Sequence, residues 1–125
     1  MLPLIEIPRI DDDRGSLCIA ERLPFQVRRV YWIFDIQRDS MRGGHAHKSL
    51  HRWLVALSGS FTVRLDRIEE GRLYRPDRAI YVAPMRWLEL ADFSHGAVCL
   101  VFASEEYDAA DYIRDIDEWR SLALR

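Results

Sequence analysis

From residue 17 to about residue 103 the chain alternates short β-branched and aromatic runs with turn signals, the pattern of an all-β sandwich or barrel. The runs predict strands at Ser16–Glu21, Arg28–Asp35, Gly44–His47, Arg52–Leu57, Ser60–Asp66, Ile80–Ala83, Trp87–Leu90 and Ala97–Ala103. Leu23-Pro24, Arg42-Gly43-Gly44, Ser58-Gly59, Glu70-Gly71 and Ala83-Pro84 punctuate them. Only the tail changes period. Between Asp108 and Trp119 the side chains Tyr112, Ile113, Ile116 and Trp119 recur at helical spacing, behind acidic residues that suit a helix N-terminus. About eight strands followed by one short C-terminal α-helix predict a jelly-roll, cupin-like β-sandwich barrel. No repeat, low-complexity stretch or linker interrupts the pattern, so residues 1–125 read as one domain.

Composition narrows the function classes. With 49% hydrophobic and 30% charged residues and a net charge of −2, the chain is neither a disordered segment nor a basic nucleic-acid binder. No apolar window approaches the ~20 residues of a membrane span and no leader pattern opens the sequence, so no membrane partner and a cytoplasmic location are expected. Cys18 and Cys99 lie far apart without zinc-type spacing and read as two buried thiols in a reducing compartment.

Two local biases remain. Lys48 is the single lysine among 18 basic residues, and three of the four histidines fall between His45 and His51. A coding bias accounts for an arginine excess in general, yet guanidinium forks also match phosphate and carboxylate. Residues 1–56 hold nine basic and seven acidic side chains and residues 57–125 nine and thirteen, so the histidine-bearing part is the mildly positive one.

On a strand, His45 and His47 point to one face, roughly 6.6–6.8 Å apart along the chain, with Ala46 facing away. His-x-His is the usual opening of a cupin metal site, in which a Glu follows after four intervening residues and a Gly after six more. The frame is kept, since Gly59 is in register, but the Glu position holds Arg52, a permanent cation that cannot ligate. Nor does a histidine follow Pro84, where Met-Arg-Trp-Leu-Glu-Leu stands. No metal and no other cofactor is therefore expected. Two inward imidazoles then have two readings: hydrogen-bonded core groups, or general acid/base catalysts. His51 is expected in the turn that follows. Tyr31, in Val30-Tyr31-Trp32-Ile33-Phe34, is either a packing residue or a phenol able to donate or relay a proton.

Together these segments resemble a known family. Asp13-Arg14-Gly15-Ser16-Leu17, Leu23-Pro24-Phe25 with Arg29-Val30-Tyr31, Arg42-Gly43-Gly44-His45-Ala46-His47-Lys48, Ser58-Gly59-Ser60, Asp92-Phe93-Ser94, Ala103-Ser104-Glu105-Glu106-Tyr107-Asp108 and Asp111-Tyr112-Ile113-Arg114-Asp115 are similar to the sugar nucleotide 3,4-ketoisomerases. These are small WxcM-like cupins that act on thymidine-diphosphate-linked (TDP-linked) 4-keto-6-deoxyglucose. The resemblance implies a metal-free homodimer that moves a keto group from carbon 4 to carbon 3 through an enediol. It implies His45 and Tyr31 as the catalytic pair with His47 as an inward companion. Arg14, Arg29, Arg42 and Lys48 are implied as grips on diphosphate and sugar oxygens, with Arg52 added if position 52 lines the pocket. Two positions depart from the family: Arg52 where Gln is common, and Leu88 where a polar or basic residue is common. A noncatalytic nucleotide-sugar-binding cupin is the alternative expectation.

Overall fold

Strand alternation separates the side chains of each sheet into an inward and an outward row, and two such sheets close on one another through their inward rows. A computed structural model of the chain describes residues 1–37 and 39–123. In chain order the strands are β1 (Ile5–Glu6), β2 (Arg9–Asp12), β3 (Gly15–Cys18), β4 (Arg29–Ile33), β5 (Arg42–His47), β6 (Arg52–Ser58) and β7 (Phe61–Leu65). They continue as β8 (Glu69–Leu73), β9 (Arg78–Val82), β10 (Leu88–Ala91), β11 (Val98–Ala103) and β12 (Tyr112–Ile113), and α1 (Ile116–Ala123) closes the chain.

One sheet has the order β1-β9-β6-β11-β4 and the other β12-β5-β10-β7-β8, every pairing antiparallel. This is the expected all-β jelly-roll barrel with a short C-terminal helix. Leu54, Ala56, Ile80, Val82, Cys99 and Val101 of the first sheet meet Phe61, Val63, Leu65, Leu88 and Leu90 of the second, forming the interior core. That core fills one end of the barrel. Toward the other end the inward row turns polar, with Arg29 and Tyr31 on β4, Arg52 on β6, and His45 and His47 on β5.

Several elements differ from the sequence-based expectation. Strands β1, β2 and β8 were not anticipated, and β2 and β3 pair only with each other, as a hairpin exposed throughout. Cys18, expected to be buried, is exposed on that hairpin, whereas Cys99 is buried as expected. The tail is not one helix from Asp108. A single 3₁₀ turn, Ala109–Asp111, leads into β12, which adds to the β5 edge with Tyr112 opposite His47 and Ile113 opposite Ala46. Helix α1 then begins behind Asp115, whose Oδ1 accepts the Asp117 amide at 2.8 Å. Its Trp119 packs on Trp87 at 5.8 Å between ring centroids and donates its indole N–H to the Met85 carbonyl. The helix thus seats on the outward face of β5, beside Ala46.

Candidate active site

Register places the polar groups of the first sheet. Arg29 and Arg52 lie opposite Ala103 from its two sides, so all three residues share one rung across β4, β11 and β6. Two strand spacings separate the arginine backbones by roughly 10 Å. The side chain between them is only a methyl group, which leaves open space. Tyr31 stands on the next rung, inward like Arg29, with the Arg29 guanidinium carbon 5.1 Å from its ring centroid. Val30 and Trp32 point outward and are exposed, as strand alternation requires.

The facing histidines depend on a bulge. The β5–β10 register shifts between Leu88, opposite His45, and Glu89, opposite Gly43. Gly43 has φ +87°, and a Cβ there would stand 2.7 Å from the Leu88 carbonyl oxygen, so the bulge requires glycine. Beyond it, His45 is half-buried and His47 fully buried, their rings edge to face at 5.1 Å. Burial, aided by the Arg52 and Arg114 cations, lowers His45 to about 4, which leaves a neutral imidazole at physiological pH. His47 is pushed down by burial first, then by Arg52 and His45, against the pull of Asp111.

Sequence reasoning did not pick out Tyr112 and Asp111 as site residues, although both lie in the Asp-Tyr-Ile-Arg segment that carries the family resemblance. The Tyr112 ring lies 4.1 Å from the His47 ring and 5.0 Å from that of His45, and the Arg114 guanidinium carbon lies 4.2 Å from the Tyr112 ring centroid. Asp111 Oδ2 is 3.2 Å from His47 Nδ1, while its Oδ1 accepts from the Ser49 amide at 3.0 Å and hydroxyl at 2.7 Å. A carboxylate only accepts, so His47 carries its proton on Nδ1.

Arg29, Tyr31, Arg42, His45, Arg52 and Tyr112, with Leu54, Leu88 and Leu90, line one pocket of about 360 Å³. Of the expected site residues, Tyr31, His45, Arg29, Arg42 and Arg52 therefore meet in one space. His47 lies beneath Tyr112 and faces a neighbouring cavity of about 700 Å³, lined by Glu105, Glu106, Asp108 and Asp111 beside Arg28 and Arg29. Carboxylates outnumber guanidinium groups there, whereas the smaller pocket gathers Arg29, Arg42 and Arg52 around a neutral base, with no carboxylate among the described residues of its lining. Lys48 is exposed and lines neither space. Arg14 stands on the β2–β3 hairpin with its side chain 85% exposed and paired to Asp12 at 2.7 Å, away from the pocket of its own chain. His51 lies between β5 and β6, as expected, and bonds the Tyr81 hydroxyl at 2.6 Å outside the barrel.

Fold and pocket together define a cupin barrel furnished with a neutral imidazole, a phenol and several guanidinium groups. Residues 2–123 match the family described as FdtA, WxcM-like, C-terminal. A TDP-4-oxo-6-deoxy-alpha-D-glucose-3,4-oxoisomerase from Aneurinibacillus thermoaerophilus is 44% identical over 98% of this chain and 92% of its own length. The 3,4-ketoisomerase of Thermoanaerobacterium thermosaccharolyticum, solved with TDP, is 40% identical, covers 98% of this chain and 94% of that one, and superposes with a TM-score of 0.92. The TDP-quinovose 3,4-ketoisomerase from Campylobacter jejuni is 42% identical, covers 94% and 95%, and has a TM-score of 0.88. The chain belongs to this WxcM-like family of sugar nucleotide 3,4-ketoisomerases.

Proposed function

We propose that this chain converts TDP-4-keto-6-deoxyglucose to the 3-keto isomer by proton transfer within the Tyr31–His45 pocket. One observation carries the assignment of residues: Tyr31 and His45 face the same pocket, with His45 held neutral by burial and by the Arg52 charge. A neutral imidazole can accept a proton at once, without first losing one.

In the proposed reaction His45 removes the hydrogen on carbon 3, which the neighbouring carbonyl acidifies. The electron pair forms the carbon 3–carbon 4 double bond while oxygen 4 gains a proton, with Tyr31 the donor in reach of the sugar. The resulting enediol then takes a proton on carbon 4 and loses the one on oxygen 3, which leaves the carbonyl at carbon 3. No net oxidation occurs and every proton removed is balanced by one returned. Arg29 and Arg42 flank the more exposed side of the pocket, where guanidinium forks hold the diphosphate and thereby orient the ring. His47, fixed by Asp111 and packed at a tilt against Tyr112, positions the His45 wall of the site rather than reaching the sugar. Lys48 and Arg14, exposed in the single chain, take part only as contacts at its periphery or toward a second subunit.

A homodimer forms part of the same proposal. Ile10 and Leu17 of the detached hairpin and Trp32, Phe34 and Leu57 on the outward sheet face are all exposed apolar side chains, and a second copy offers matching surface. The proposed compartment is the cytoplasm, where the free Cys18 and Cys99 stay reduced. Among the described residues no helix is long and apolar enough to cross a membrane. Proton NMR of the product formed from TDP-4-keto-6-deoxyglucose tests the reading: a 3-keto sugar supports it, and TDP binding without turnover makes the chain a noncatalytic binding module instead.

A further inference from the structure

Arg52 is the most unusual side chain in the molecule. Strand alternation turns it inward beside Leu54, and at 1% exposure it is the largest fully buried residue. All three of its guanidinium nitrogens are buried without a hydrogen-bond partner. No carboxylate pairs with it among the described residues; the two fully buried acids there, Asp77 and Glu89, each hold another arginine, and the half-buried Asp111 holds His47. The groups that act on it are neutral phenols, Tyr31, near enough for a weak contact short of good hydrogen-bond geometry, and Tyr112, and a second cation, Arg29, which itself carries an unpartnered buried Nε. An arginine stays charged in proteins, and a buried charge with no partner is among the costliest arrangements a fold can hold. Such a group is maintained when something outside the fold completes it.

We infer that the Arg52 guanidinium receives the two oxygens on carbons 3 and 4 of the sugar and stabilises the negative charge that develops on them as the carbon 3 proton leaves. This rests on the proposed isomerase reading and assigns the site its electrophile. The planar fork presents two parallel N–H groups, and an enediolate presents two oxygens on adjacent carbons in one plane, so the two match in a bidentate pair. Arg52 is also fixed in place before substrate arrives, walled by Leu54 and Val101, so no solvent reorganisation accompanies the reaction. The same charge acts on the bases: it helps keep His45 and His47 unprotonated, so one cation both acidifies the carbon acid and leaves the imidazole able to accept its proton. A diphosphate is the other anion such a group could hold. Arg42 is exposed and Arg29 only half-buried, which places the diphosphate grips toward solvent and Arg52 at the closed end, where the sugar ring lies.

The test compares full-length wild type with Arg52→Met and Arg52→Gln in turnover, in exchange of the carbon 3 hydrogen with D2O, in affinity for TDP alone, and in Tm. Arg52→Met is expected to lose about 100-fold in kcat and in exchange, with TDP affinity unchanged within twofold and Tm raised, because a buried charge without a charged partner has gone. Arg52→Gln, which puts the residue common in the family in its place and keeps an amide N–H donor, is expected to fall between the two. Turnover within threefold of wild type in Arg52→Met overturns the inference, as does a loss of TDP affinity that matches the loss of kcat/KM at constant kcat, which makes Arg52 a diphosphate anchor. A lowered Tm in Arg52→Met overturns it too, since that marks a structural ion. Wild type that binds TDP but isomerises no 4-keto sugar is a different failure, that of the isomerase reading itself.

Discussion

His47 Nδ1 lies 3.2 Å from Asp111 Oδ2, a contact between two residues 64 positions apart that exists only because β12 adds to the edge of β5. The C-terminal segment therefore reaches back into the pocket wall. Asp111→Asn replaces an acceptor with a donor facing Nδ1 and removes a charge-assisted bond. A loss of roughly 1.5–3 kcal/mol in urea denaturation is expected, together with reduced kcat at nearly unchanged TDP affinity.

His45→Asn and Tyr31→Phe remove the proposed base and phenol while leaving the barrel interior intact. Each is expected to lower kcat by about 10²- to 10⁴-fold, read by product NMR, with Tm within a few degrees of wild type. Full turnover in either variant removes that residue from the mechanism.

Stability should depend on pH in a defined window. His45 falls from 6.5 in the unfolded chain to about 4 in the fold, so between those values the unfolded chain binds more protons. Its contribution is complete above about pH 6.5 and is lost as the pH falls toward 4. Denaturation midpoints across pH 4 to 7 check this, and because His47 is lowered as well, His45→Asn should make the curve shallower without flattening it.

Gly43→Ala forces a Cβ to within 2.7 Å of the Leu88 carbonyl oxygen at φ +87°. A destabilisation of about 1–3 kcal/mol is expected, with a disproportionate loss of activity because the bulge that aims His45 must shift. Thermal melts beside turnover numbers separate the two effects.

The second copy is tested by sedimentation. A mass of about twice the 14.7 kDa chain is expected, and Trp32→Glu should shift it toward the monomer by placing a charge in the exposed apolar face. A wild-type mass near that of one chain removes the dimer.

The central strands were legible in the sequence because a short apolar run of β-branched and aromatic residues bounded by turn residues is a one-dimensional signal: Arg29–Ile33, Arg52–Ser58 and Val98–Ala103 each carry it. Strands β2 and β8 were not, because Arg-Ile-Asp-Asp is exposed throughout and Glu-Glu-Gly-Arg-Leu is mostly polar, so neither displays a clear apolar face. Tyr112, Ile113, Ile116 and Trp119 satisfy a helical stripe on paper, yet the edge of β5 offers Tyr112 and Ile113 backbone partners that local periodicity cannot reveal. His45 and Tyr31, which line one pocket, were singled out from residue type and resemblance. That Arg52 would be buried without any partner was not, since partnership is a property of all the neighbouring strands at once.

The most direct test of the proton-transfer account is the fate of hydrogen when the isomerisation is run in D2O. Transfer through an enediol with His45 as base predicts solvent deuterium at carbon 4 of the 3-keto product and at carbon 3 of recovered substrate, both abolished in His45→Asn. Product whose carbon 4 carries only the hydrogen that began on carbon 3, in wild type and at every reaction time, would contradict it, because that outcome belongs to a direct hydride shift.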